Sequence, residues 1–233
     1  MVMWLKNRFV QKLGGGWLES FGLRTWSNLQ FTSLSARKDP EVISLMRGIH
    51  AEKRSLLSAF EQYIVYALAK AQSKKYDGAF AEVGVYKGAS AKLICEVKGD
   101  KPLLLFDTFE GLPEAAAQDR EVHRVGQYAY GLENVQQYLR EYKNVSYHKG
   151  LFPDSAVGVP EQPYAFAHFD VDLYEGTLAC LEYFYPKMVH GGVMLSHDYS
   201  LLAGVEQAFT EFFADKPEEV IDLPTTQCLV FKL

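Results

Sequence analysis

The stretch AHFDVDLYEGT, Ala167–Thr177, is an apolar run that stops on two carboxylates, Asp170 and Asp172, and then passes into a helical pattern. A second run, GGVMLSHDYS at Gly191–Ser200, stops in the same manner on His197 and Asp198. Short continuous apolar runs read as strands buried on both faces. Acids followed by an aromatic are an unusual way to end them. Sheets of parallel strands bind ligands outside the carboxyl ends of their strands. On that geometry Asp170, Asp172, His197 and Asp198 lie at the rim where a ligand would sit.

Working outward, strands and helices alternate. AFAEVGVY, PLLLFDTF, VSYHKG, YAFAHFDVD and GGVMLSHDY read as strands, with helical patterns at GASAKLICEV, LENVQQYLREY, YEGTLACLEYFYPKMV and LAGVEQAFTEFFAD between and after them. PDSAVG reads as a short helix capped by Asp154 or Ser155. EEVIDL and CLVFKL, separated by PTTQ, read as a closing hairpin. The alternation predicts an α/β fold, a mostly parallel seven-stranded sheet with helices on both faces and an antiparallel hairpin at one edge. The first residues, to about Asp39, read as an arm whose opening stretch, MVMWLKNRFVQKLGGGW, suits a short amphipathic helix. From Pro40 one long helical pattern runs to QSKKYDG. The expected division is residues 1–75, an N-terminal arm and helical extension, and residues 76–233, the main domain.

The chain has 233 residues, 48% of them hydrophobic and 23% charged, with a net charge of -5. That size and composition suit one soluble globular domain with a small appendage. The acidic balance argues against a nucleic-acid or anionic-membrane partner. No run is long and apolar enough for stable membrane insertion, and the first residues lack the apolar core of a secretory leader. The three cysteines, Cys95, Cys180 and Cys228, have neither metal spacing nor a disulfide pattern. Buried thiols in a reducing, cytoplasmic setting are expected.

The first strand ends in EVGVYKGAS, residues 82–90. Glycines at a strand-to-helix turn let the backbone approach a ligand. Glu82, Gly84, Val85, Tyr86, Gly88 and Ser90 are therefore candidate cofactor contacts, although a tight turn alone also calls for glycine. Tyr86 stands where a dinucleotide fingerprint needs its middle glycine, which counts against a nicotinamide oxidoreductase. The second strand ends at Asp107, which either holds the two hydroxyls of a ribose or serves as a turn aspartate. Thr108 and Phe109 follow it, the latter placed to stack on an adenine. Gly150 and Phe152 close the third strand, where the adenine would lie. Asp172 reads as the cap of the helix beginning near Tyr174. His168 either points to the same rim or pairs structurally. His123 and His148 carry no signal, and Tyr174 and Tyr199 either line a pocket or pack.

Taken together, EVGVYKGAS, LFDTFEGLP, FDVDLYEGT and GGVMLSHDY, in this order and spacing, resemble the macrocin O-methyltransferase (TylF-type) family over roughly Ala79 to Asp215. The resemblance implies a Rossmann-like class I methyltransferase fold and S-adenosylmethionine as cofactor, with Asp170 among its contacts. It implies a divalent metal, magnesium first and manganese second, held by acids after the fourth and fifth strands. Asp170 and Asp198 correspond to those acids. The acceptor would be a sugar hydroxyl on a natural product, and a homodimer is expected. The chain departs from the family at His197, where the family usually has aspartate. Either His197 joins Asp170 and Asp198 as a metal ligand, or it acts as a base with water in its place, or metal binding is lost. Asp170 is the first candidate for catalytic base and His197 the second. The alternatives are a metal-independent methyltransferase using His197 and Asp198 as base, and a non-catalytic nucleoside-binding or scaffold protein.

Overall fold

The computed structural model describes residues 17–114, 119 and 124–233, with side chains from Trp26 onward. The amphipathic helix expected at the start of the chain, His123 and much of the loop after Pro113 lie outside the described residues. Among the described residues three helices come first: α1 (Trp17–Ser35), α2 (Pro40–Ala51) and α3 (Ala59–Lys75). The α/β alternation then runs through β1 (Ala79–Val83), α4 (Ala89–Cys95), β2 (Leu103–Asp107), α5 (Leu132–Leu139) and β3 (Val145–Lys149). It continues with β4 (Tyr164–Phe169), α6 (Tyr174–Phe184), β5 (Met188–Ser196), α7 (Ala203–Phe213), β6 (Ile221–Asp222) and β7 (Cys228–Phe231).

The long helix expected from Pro40 is two helices. Asp39 caps α2 by accepting the backbone N–H of Glu41 at 2.9 Å, with Pro40 in the first turn. The helix ends at Glu52, and Lys53 takes a positive φ of 56°. A second start signal, Ser58 with Glu61 three residues on, then forms a capping box that opens α3. Apolar periodicity on both sides of this break masked it in the sequence. Within the arm, α1 is helical from Trp17 and buries Phe31 and Leu34.

The sheet order is β3-β2-β1-β4-β5-β7-β6, with β7 antiparallel to β5 and all of β1 to β5 parallel. β1 and β4 are buried throughout, as a central parallel strand requires. One face packs Phe80, Leu105, Phe166 and Val193 against α1 to α5. The other packs Phe106, Ala167, Phe169 and Met194 against α6 and α7, where Phe184 and Phe209 are fully buried. The closing hairpin is present, but its outer strand shrinks to Ile221–Asp222, both exposed. The segment Asp154–Ala156 is a single 3₁₀ turn, and no side chain caps it, neither Asp154 nor Ser155.

The ladder runs one residue past each strand at the same rim. Gly150 N–H bonds Asp107, Gly84 N–H bonds Phe106, Asp170 N–H bonds Val83 and His197 N–H bonds Phe169. Those bonds bring the exits of five parallel strands level. Because β7 is antiparallel to β5, its entry at Thr226 and Gln227 comes back to this same rim.

Candidate active site

At the rim opens a cleft of about 1310 Å³. Pockets for single small ligands span roughly 300–1000 Å³, so this one is larger than the usual single-ligand site. Gly84, Val85, Tyr86 and Ser90 line it from the β1 turn, Asp107 and Thr108 from β2, Gly150 and Phe152 from β3. Asp170, Asp172, His197 and Asp198 line it from β4 and β5, and Trp26, Gln30, Arg54, Ser58 and Glu61 from the helical extension.

Gly84 is held at a φ of +86°, and a Cβ there would lie 1.8 Å from the carbonyl oxygen of Asp170. Only glycine lets the β1 and β4 exits meet so closely. Asp107 ties the β1 turn to β2. Its Oδ2 accepts the N–H groups of Val85 at 2.7 Å and Tyr86 at 2.9 Å, and its Oδ1 accepts that of Phe109 at 2.6 Å. Of the two readings, these bonds display the turn aspartate. It organises the turn, and Oδ1 keeps acceptor capacity toward the cleft.

Three expected cofactor contacts are not brought to the cleft wall. Glu82 is fully buried on the β1 face under α4, where its Oε1 lies 2.8 Å from His168 Nδ1 on β4. Burial pushes its carboxyl upward, with His168 only partly offsetting this. That pair also settles His168 as a structural partner. Gly88 begins α4, packed against Val135 and Tyr138. Phe109, at a φ of 55°, turns into the core with 5% exposure, because the left-handed turn after Asp107 swings its ring inward. Phe152 lines the cleft but stacks on Phe184 at 5.6 Å.

Asp172 does not cap α6. The backbone N–H of Tyr174 is taken by Asp119 at 2.9 Å, from a loop distant in sequence, and Asp172 itself turns at a φ of 61°. Asp198 sits at a φ of 59°. Two non-glycine residues in the left-handed region at adjacent strand exits carry local strain of the kind found at functional sites.

Asp170, His197 and Asp198 converge, each offering one ligand atom within 4.8 Å of the others. His197 Nδ1 lies 3.3 Å from Asp170 Oδ1 and 3.1 Å from Asp198 Oδ1. It is buried and makes no hydrogen bond. Burial lowers the pKa of His197, but the charges of Asp198, Asp170 and Glu61 outweigh it and raise it well above the ordinary imidazole value. Burial raises Asp170, yet the His197 charge holds it below the usual carboxylate range. Asp172 goes the other way, raised by burial and by the charges of Asp198 and Asp170.

Glu61 escaped the sequence reading. It is 5% exposed, accepts the hydroxyl of Thr226 at 2.7 Å, and lies 3.6 Å from His197 Nε2. Its one local signal, the capping box with Ser58, gives no hint of a partner 165 residues away.

The strand order, the closing antiparallel pair and the cleft at the strand exits define a Rossmann-like class I O-methyltransferase fold. The sequence model of the macrocin-O-methyltransferase (TylF) family matches residues 59–227, and the chain belongs to this family. A tetracenomycin-C rhamnosyl 4'-O-methyltransferase of Streptomyces olivaceus is 31% identical over 140 residues, 53% of this chain and 54% of that protein. Demethyldecarbamoylnovobiocin O-methyltransferase of Streptomyces niveus is 28% identical over 164 residues, 63% of each. The matches thus span between half and two thirds of the length of these relatives. Among solved structures, the O-methyltransferase NovP superposes with a TM-score of 0.70 at 23% identity, covering 77% of this chain and 82% of that one. A calicheamicin methyltransferase follows at 0.65 and 19% identity, covering 89% and 91%. These two share the fold.

Proposed function

We propose that the chain is an S-adenosylmethionine-dependent O-methyltransferase that methylates a hydroxyl of a sugar or natural-product glycoside with the assistance of a divalent cation. The observation that carries this reading is the convergence of Asp170, His197 and Asp198 in the same cleft as the Gly84 turn and Asp107. One Streptomyces relative is named for methylating a rhamnosyl tetracenomycin and the other for methylating demethyldecarbamoylnovobiocin, which supports the acceptor class.

The cofactor would be held by the β1 turn at Gly84–Tyr86, by Asp107 and Thr108, and by Gly150 and Phe152. The fit rests on the close approach at Gly84, on the acceptor capacity left at Asp107 Oδ1, and on acids at the strand exits that complement a sulfonium charge. Asp170, His197 and Asp198 would hold the cation, and the orphaned, buried Nδ1 between two carboxylate oxygens is what such a group would satisfy. Bound together, the cofactor would supply an electrophilic methyl group and the cation would make an acceptor hydroxyl more acidic.

Asp170 borders both the cofactor wall and the acid cluster. Its carboxylate is the base that takes the acceptor proton. His197, flanked by three carboxylates, is a structural or ligating group before it is a base. Trp26, Gln30 and Arg54 close the cleft from the helical extension, orient the acceptor and exclude water. Residues 76–233 carry the chemistry in this reading, and residues 1–75 shape acceptor choice. A homodimer is proposed through α1, where Leu29 is 63% exposed. Among the described residues no helix is long and apolar enough to cross a membrane, and the free, buried cysteines suit the cytoplasm.

Calorimetry with S-adenosylmethionine should give a binding isotherm. Asp170→Asn should lower methylation of a rhamnosyl glycoside by about 10²–10⁴-fold while the circular dichroism spectrum is unchanged. Absence of cofactor binding would sink the proposal. Activity that survives exhaustive chelation would favour the metal-independent alternative.

A further inference from the structure

We infer that Glu61 and Thr226 dictate which nitrogen of His197 faces Asp170 and Asp198, and that the resulting hole of one nitrogen and two carboxylates takes manganese in preference to magnesium. The inference rests on the metal-assisted reading above and deepens it.

The argument is a count of protons. The Glu61 carboxylate accepts the N–H of Ser58 at 2.8 Å on Oε2, and on Oε1 the N–H of Thr226 at 3.2 Å and its hydroxyl at 2.7 Å. An ionised carboxylate only accepts, and a threonine hydroxyl has one proton to donate. With that proton given to Glu61, Thr226 Oγ1 can only accept from its other neighbour, His197 Nε2, at 3.2 Å. Nε2 therefore carries the hydrogen, and in the neutral ring Nδ1 carries the lone pair.

That lone pair faces Asp170 Oδ1 at 3.3 Å and Asp198 Oδ1 at 3.1 Å. Neither approach has hydrogen-bond geometry, and Nδ1 is a buried atom without such a partner. A proton on Nδ1 would thus be aimed at neither oxygen, whereas a cation between the three atoms would satisfy all of them. A carboxylate that fixes the far nitrogen of a ligating histidine is a recurring outer layer of metal sites. Here the hydroxyl of Thr226 stands between the two.

The donor set then selects the ion. Magnesium prefers hard oxygen ligands and dehydrates reluctantly, while imidazole suits first-row transition ions. Replacing a carboxylate by a neutral nitrogen removes charge that magnesium needs more than manganese does.

The test uses the full-length protein, freed of metal by chelation and dialysis. Manganese binding is read by electron paramagnetic resonance, magnesium by competition, and ligation by the nitrogen-14 modulation of the manganese spin echo. The wild type should show nitrogen modulation and favour manganese by at least about tenfold. His197→Asp should lose the modulation and reduce that preference at least tenfold. Thr226→Val should weaken manganese binding by about 10–100-fold, the range for outer-layer partners. Glu61→Gln should do the same if the α3 cap tolerates it, and Thr226→Val keeps the test valid if it does not. Wild-type binding without modulation, an unchanged preference in His197→Asp, or full affinity in Thr226→Val would each overturn the inference. Cofactor binding is measured on the same samples. If S-adenosylmethionine binds and manganese does not, this inference fails alone. If manganese binds with the nitrogen signature and the cofactor does not, the inference stands and the functional reading falls.

Discussion

Gly84 is the residue on which two strand exits depend. An added methyl would meet the Asp170 carbonyl carbon at 2.6 Å as well as its oxygen, and both belong to backbone that cannot swing aside. Gly84→Ala should therefore destabilise the protein by about 3 kcal/mol, combining overpacking with a left-handed alanine, read as a shift in the urea midpoint. It should also abolish cofactor binding, because the turn and Asp170 move together. At this scale the sequence was informative where chemistry coincides with a strand end. Asp170, His197 and Asp198 stood out because polar groups at the close of apolar runs have few structural excuses. Glu82 is the counterexample: an acid in a buried strand, it has a structural partner, His168, that only the register Glu82↔His168 reveals. Glu61 was invisible, since a capping glutamate and a long-range acceptor are the same letter in the same place.

At the scale of elements, helix starts are stabilised by acids that come from different distances. α3 is capped by its own Ser58 and Glu61, whereas the first N–H of α6 is taken by Asp119. Asp119 also bears on α7, for a Cβ on Gly204 would lie 2.4 Å from its Oδ1. Asp119→Ala should cost about 1 kcal/mol, the usual worth of an N-cap, measured by urea denaturation. It should also weaken cofactor or acceptor binding, because α6 starts two residues after Asp172. The same substitution at Asp172 should leave α6 intact. Local patterns gave the existence and type of most elements, because buried parallel strands and amphipathic helices repeat with different periods. Boundaries were weaker. The α2–α3 break hid inside continuous apolar spacing, and the Asp119 contact with α6 and the Glu61–Thr226 pair depend on neighbours that no window of sequence contains.

For the molecule as a whole, the closing strands fasten the far end of the sheet. Glu218 is buried and accepts the Tyr185 hydroxyl at 2.8 Å and the Leu233 N–H at 3.2 Å, with the Lys232 ammonium beside it. Burial alone would raise its pKa, but Lys232, Tyr185 and the Leu233 backbone together hold it below the usual 4.5. A depressed folded-state carboxyl stabilises fully above its unfolded value and loses that contribution as pH falls through the folded one. Glu218→Gln should thus cost about 1–3 kcal/mol near neutrality. The gap to wild type should narrow on acidification below about 4.5 in guanidinium titrations at several pH values. A constant gap at every pH would show that shape rather than charge is responsible.

The segment that supplies Trp26, Gln30 and Arg54 to the acceptor end of the cleft also supplies Glu61, beside His197. Recombination that trades these helices with those of a cousin would trade the imidazole's anchor along with them. Chimeras joined near Tyr76 keep the recipient's Asp170, His197 and Asp198, so a donor lacking Glu61 should weaken manganese binding at the same time as it changes acceptor choice. A junction placed between Ser55 and Ser58 should let the two traits be exchanged separately.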